Sequence, residues 1–191
     1  MRIYLAGPEV FLPNAVEIGD SKKAICQKYG FEGVTPFDSG ADLSGDKYTV
    51  ACNISKANEG LIKSCAILIA NMSPFRGPSM DVGTAFEMGF ARAAGLRVMG
   101  YTCSPHFYSE RMCRALGPFP SKNEGGDYLD EDGMFVENFD MHDNLMIDGA
   151  IVASGAEVVW MVAEGKGRWN RLDAFEECVA QAANRFIAEP Q

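Results

Sequence analysis

Short apolar runs alternate with longer stretches of helical spacing, and this alternation constrains the chain more than any other feature of its sequence. Residues 66–70 are apolar without interruption, as a strand buried on both faces requires. Residues 2–6 read as a short apolar strand and residues 96–101 as another buried one, while residues 33–36 add a second short strand and residues 157–162 a further strand. Between them lie helical patterns. Residues 14–29 stop at Gly30, a favoured residue just past a helix end. Residues 48–64 carry Val50, Ile54, Ala57, Leu61 and Ile62 on one side, and residues 82–94 close at Gly95. Residues 144–153 and 171–187 complete the set. Alternation of this kind predicts a single α/β domain over residues 1–191, with a doubly wound parallel sheet and helices on both faces. Ligands in such sheets bind beyond the carboxyl ends of the strands. The segments 7–14, 37–46, 72–81 and 101–105 are therefore expected to line one site. Residues 107–132 read as irregular, and residues 118–135 as a flexible lid.

Charge narrows the partners. The chain has 26 acidic and 17 basic residues, a formal net charge of −9, which repels phosphate backbones and argues against a nucleic-acid polymer. A small, weakly charged ligand fits better. No stretch approaches the roughly 20 apolar residues that span a membrane. The first apolar run breaks at Gly7-Pro8, too early for a signal peptide. The six cysteines form no C-x-x-C and read as buried free thiols of a cytoplasmic protein. Neither His106 nor His142 has a metal-like partner spacing, so no metal site is expected.

Glu87 is the most informative residue. Its neighbours Ala85, Phe86, Met88, Gly89, Phe90 and Ala91 are all apolar or glycine. A carboxylate in such surroundings is costly unless a partner or a function offsets it. It is either a catalytic acid beside a cleft or a structural one bonded to a backbone group or an arginine. Asp81 precedes the same helix. It reads as the helix N-cap, as a carboxylate over the pocket, or as both. Gly83 permits close approach of a ligand to that helix start. Tyr4 is either a core aromatic or a phenol bonded to the catalytic carboxylate. Phe11 either stacks on an aromatic ligand or packs under its loop. Asn144 either caps its helix or binds a sugar hydroxyl. Arg76 reads as a loop ion-pair former.

Three segments together resemble the nucleoside 2-deoxyribosyltransferases. They are Ile3-Tyr4-Leu5-Ala6-Gly7-Pro8, the stretch from Ile69 through Pro74-Phe75-Arg76-Gly77-Pro78 to Asp81-Val82-Gly83-Thr84-Ala85-Phe86-Glu87, and Asn144-Leu145-Met146-Ile147. The resemblance implies a flavodoxin-like fold, with a deoxynucleoside and a nucleobase as substrates and no cofactor. It implies that Glu87 is the nucleophile, that Tyr4 orients it, and that Asp81 contacts base or sugar. It places Phe11 beside the base and Asp38 near the same pocket. It makes Asn144 the asparagine that reaches the 5′-hydroxyl from a neighbouring subunit, and so implies a homo-oligomer. One departure is apparent: many members carry an acid near the start of the strand before the Pro-Phe-Arg-Gly loop, where this chain has Ala66.

The chemistry so implied is a retaining double displacement. Glu87 attacks C1′ as the base leaves with a proton from the Asp81 side, and a second base then discharges the covalent intermediate. Two other readings stand beside it. A hydrolase of 2-deoxynucleoside 5′-monophosphates would share fold and nucleophile but must hold a phosphate dianion. A non-catalytic nucleotide-binding module would have no need of a buried carboxylate.

Overall fold

The strands take the positions that their hydrophobicity dictates. In the computed structural model, which describes residues 1–116, 121–163 and 165–186, the apolar runs become β1 (Arg2–Ala6), β3 (Ile67–Asn71) and β4 (Arg97–Thr102). Two shorter strands, β2 (Glu32–Val34) and β7 (Val159–Trp160), form the edges. All pair in parallel in the order β2-β1-β3-β4-β7. This is the flavodoxin-like order, in which the chain reverses direction across the sheet between β1 and β3 and opens a crevice there.

Helices cover both faces. α1 (Ala15–Lys28) and α6 (Asp173–Phe186) pack together on one side. α2 (Lys47–Lys63), α3 (Val82–Ala93) and α5 (Leu145–Val152) lie in sequence on the other. The core between the layers includes Ile3, Ile67, Leu68, Ile69, Val98 and Met99 from the sheet, with Ile62, Met88, Ile151 and Phe175 from the helices. Gly100 marks close packing of the sheet on α5, because a Cβ there would lie 2.4 Å from the Met72 sulfur and 2.8 Å from the Ile151 Cδ1. Among the described residues, no helix is long and apolar enough to cross a membrane.

Residues 107–132 depart from the irregular reading. They contain α4 (Tyr108–Ala115) and an antiparallel hairpin of β5 (Ser121–Lys122) and β6 (Tyr128–Leu129). The helix was hidden because its buried positions are Ser109 and Arg111 instead of an apolar stripe. Arg111 gathers three backbone carbonyls, those of Pro78, His106 and His142, and pairs with Asp143 at 3.1 Å. The expected lid is therefore partly a hairpin, closed by a turn in which Asn123 and Asp127 bond each other. Residues 118–120 of that expectation, and residue 187 of the last helix, lie outside the described residues.

Candidate active site

The crevice at the β1/β3 switch point is a cavity of about 580 Å³. The turn after β1 supplies Gly7, Val10 and Phe11, and the turn after β2 supplies Pro36 and Phe37. α2 contributes Ile54 and Asn58, and the start of α3 contributes Asp81, Gly83, Thr84 and Glu87. The wall is mostly apolar. Asp81 and Glu87 are the ionisable residues lining it, and no lysine, arginine or histidine does so among the described residues.

Each side chain has a local cause. Asp81 caps α3: its Oδ2 accepts from the Thr84 amide at 2.9 Å and from the Thr84 hydroxyl at 3.0 Å. Gly83 leaves room for this, since a Cβ there would lie 3.1 Å from the same oxygen. The capped end then aims Glu87 into the cavity. Tyr4, fully buried on β1, donates its phenol to Glu87 Oε1 at 2.6 Å, a short charge-assisted bond. Tyr4 is thus a core side chain whose hydroxyl also ends on the Glu87 carboxylate.

Burial pushes the Glu87 carboxyl up to about 7, and the nearby charge of Asp81 adds to this while the Tyr4 bond opposes it. Burial, reinforced by the charge of Glu87, also pushes the Tyr4 phenol far up, so it stays a donor. The site thus holds a carboxyl poised near neutrality and a fixed hydrogen bond to one of its oxygens. A group of this kind can serve as nucleophile or as general acid-base catalyst.

Gly7 is required by close approach. A Cβ there would lie 2.1 Å from Glu9 Oε2 and 2.9 Å from the Asn71 Cβ. Phe11 stands half exposed at the cavity. It lines the cavity and stacks on Phe75, with ring centroids 5.5 Å apart and planes 13° off parallel. Arg76 pairs with no carboxylate among the described residues, contrary to the ion-pair expectation. Its guanidinium instead lies 4.6 Å from the Phe75 ring centroid and 5.1 Å from that of Phe11. Trp169 meets Phe75 edge-on behind this stack.

Two expected residues do not reach the cavity within one chain. Asp38 sits between the lining residues Phe37 and Ser39, but its carboxylate turns away to Thr35 and to Lys23, at 2.8 Å from the Lys23 nitrogen. Asn144 caps α5, accepting from the Met146 amide at 3.0 Å and donating to Glu137 at 2.6 Å. Ala66, where many members carry an acid, precedes β3 at the end of the sheet opposite the cavity. From that part of the chain it is Asn58 that lines the site, with its Oδ1 buried and without a hydrogen-bond partner among the described residues. Its signal was present in the sequence: a lone amide between Ile54 and Ile62, in the apolar stripe of α2.

The likeness to known proteins agrees with this geometry. The family profile described as nucleoside 2-deoxyribosyltransferase matches residues 3–146. An uncharacterized protein of Schizosaccharomyces pombe is 35% identical over 167 residues, covering 82% of this chain and 79% of its own length. A solved structure described as a 2-desoxiribosyltransferase from Leishmania mexicana is 25% identical, covers 97% of this chain and 98% of its own, and superposes with a TM-score of 0.63. A conserved protein from Enterococcus faecalis shares the fold at 17% identity and a TM-score of 0.52, with 95% of this chain and 98% of its own covered. With three quarters of its length matched by that profile, and the profile's span taking in β1, the cavity and Glu87, the chain belongs to the nucleoside 2-deoxyribosyltransferase family.

Proposed function

We propose that this protein transfers 2-deoxyribose between nucleobases through a covalent deoxyribosyl–Glu87 intermediate. Cleavage of an N-glycosidic bond builds positive charge on the sugar at C1′. A carboxylate beneath that carbon stabilises the charge and then bonds to it. Ionised Glu87 takes this role, with Tyr4 holding one of its oxygens so that the other faces the sugar. Asp81 spends Oδ2 on its cap, and Oδ1 accepts no bond among the described residues. That oxygen is available to the leaving base. Phe11 and the apolar turn at Pro36-Phe37 form the wall against which the base lies. The amide of Asn58 meets the polar edge of the substrate. Attack by a second base at C1′ restores Glu87, and two inversions give net retention.

The observation that carries this reading is a carboxyl held near 7, bonded to a buried phenol, in a cavity lined by no cation among the described residues. A 5′-monophosphate dianion would meet two carboxylates among the lining residues and no cation there, the Arg76 guanidinium being laid against the Phe11 and Phe75 rings. A nucleoside is therefore the preferred substrate over a nucleotide. Sharing of sites between copies is part of the same proposal. Val82 is 84% exposed and Phe86 61% exposed on α3, an apolar face for a second copy whose Asn144 would approach the sugar.

The test is intact mass after mixing the protein with excess 2′-deoxyinosine. The expected result is a gain of one deoxyribosyl unit that maps to Glu87 and disappears on adding adenine, with deoxyadenosine formed. Glu87→Ala should take up no label and lose exchange by at least about a thousandfold. Exchange by that variant at near the unsubstituted rate would exclude Glu87 as nucleophile. Release of deoxyribose 5-phosphate from deoxyinosine monophosphate, without base exchange, would make the protein a nucleotide hydrolase instead.

A further inference from the structure

Behind the base-side wall of the cavity lies a buried charged cluster that the reaction itself does not use. Glu9 is 5% exposed and stands in the short turn Pro8–Phe11. Its Oε1 receives three donors from three elements: the Lys22 ammonium of α1 at 2.5 Å, the Asn71 amide at the end of β3 at 2.8 Å, and the Tyr101 phenol of β4 at 3.0 Å. Its Oε2 is buried with no hydrogen-bond partner among the described residues and lies against Gly7, where no Cβ could fit. Lys22 is itself 4% exposed, and its ammonium lies over the rings of Tyr101 and Phe175. Burying such a pair is costly, and an apolar pair of similar volume would fill the same space. Its geometry shows what it accomplishes: it ties one turn to α1, β3 and β4 at once. That turn carries Gly7, Val10 and Phe11 into the cavity.

We infer that Glu9, clamped by Lys22, Asn71 and Tyr101, is a positioning residue that fixes the base-side wall of the cavity. This rests on the transfer reaction proposed above. Glu9 does not line the cavity and bonds Lys22, Asn71 and Tyr101 instead of Glu87, so it acts only in steps where a base must be held. Formation of the deoxyribosyl enzyme from a nucleoside is one such step, and its discharge to an acceptor base is the other. Discharge to water needs no base wall.

The experiment forms the deoxyribosyl enzyme with 2′-deoxyinosine, removes free ligand, and times its decay in buffer and in buffer with adenine. Glu9→Gln is compared with the unsubstituted chain. Because that change leaves Lys22 without its counter-ion, the double variant Glu9→Gln, Lys22→Met serves as a second, charge-balanced test. The expected result is that both variants slow labelling and the adenine-dependent discharge about ten- to a hundredfold, the scale of a misplaced reactant. Decay in water alone should stay within about twofold. A general loss of folded protein would lower the labelled amount without changing either rate constant of the labelled molecules. Equal slowing of the water and adenine reactions, or no slowing of either, would overturn the role of Glu9 while leaving the transferase intact. Failure of the unsubstituted chain to take up any label would remove the reaction, and the positioning role with it.

Discussion

Glu87 combines burial, a phenol donor and a neighbouring acid, and each should be separable by titration. As the proposed nucleophile, Glu87 must be ionised, and burial holds its carboxyl up to about 7. Labelling by deoxynucleoside under kcat/KM conditions should therefore rise about tenfold per pH unit below 7 and level off above it. The Tyr4 bond stabilises the charged form, so Tyr4→Phe should move that limb to higher pH. Asp81 acts in the opposite direction, and Asp81→Asn should move it to lower pH. A limb at the same pH in all three proteins would mean that it reports some other group. The same raised value bears on stability. Below the ordinary carboxyl value of 4.5, Glu87 is protonated in both the folded and unfolded chain and costs nothing. Between 4.5 and about 7 the unfolded chain ionises first, so stability falls with rising pH, by on the order of 3 kcal/mol once the folded form has ionised too. Glu87→Gln should thus melt several degrees higher than the unsubstituted protein at pH 8 and nearly level with it at pH 4. A variant that melts lower at pH 8 would show that the carboxylate stabilises the fold.

Elements supply what single residues cannot. The largely apolar runs at 2–6, 66–70 and 96–101 made three adjacent strands legible, because a strand buried on both faces carries apolar residues on both. Edge strands were read less well. Glu32–Val34 and Val159–Trp160 are shorter than the apolar spacing suggested, since an edge pairs on one side only and ends where its partner does. Glu87 was legible through its apolar neighbours, although not all of them enclose it. Phe86 and Gly89 are exposed, and the half-buried Glu87 is enclosed largely by Tyr4 and by cavity-wall residues from other elements. Glu9 was invisible for a related reason: Lys22, Asn71 and Tyr101 are brought to it only by the crossing of α1, β3 and β4. That crossing gives a prediction at its own scale. Burial pushes the Glu9 carboxyl up, but the Lys22 charge and the bonds of Lys22 and Asn71 outweigh this and hold it below the ordinary value. Lys22→Met leaves a buried carboxylate without its cation and should cost about 3–5 kcal/mol in denaturant unfolding at pH 7. The loss should shrink as acid protonates Glu9. A loss under about 1 kcal/mol at pH 7 would mean that Asn71 and Tyr101 suffice to hold the charge.

At the scale of the whole molecule, the cavity opens on a groove between α2 and α3 that a compact monomer has little reason to leave uncovered. Ile54, Phe86, Asn58 and Glu87 all line this groove, which has a volume of about 230 Å³. Phe86 stacks on Phe90, with ring centroids 6.2 Å apart, and stays 61% exposed. An exposed aromatic beside the proposed nucleophile either contacts substrate or is covered by another copy of the chain, and dilution separates the two. If a second copy covers it, Phe86→Glu places like charges across a symmetric contact and removes its apolar anchor. The unsubstituted protein should then sediment as a dimer or larger at micromolar concentration, and the variant as a 20.8 kDa monomer. Because Asn144 does not line the cavity of its own chain, the monomeric variant should also lose most of its exchange activity, whereas the unsubstituted protein should lose specific activity only when diluted below its dissociation constant. A variant that remains oligomeric but is inactive would assign Phe86 to the substrate. A monomeric variant with full activity would show that one chain holds the complete site, and that Asn144 is a helix cap and nothing more.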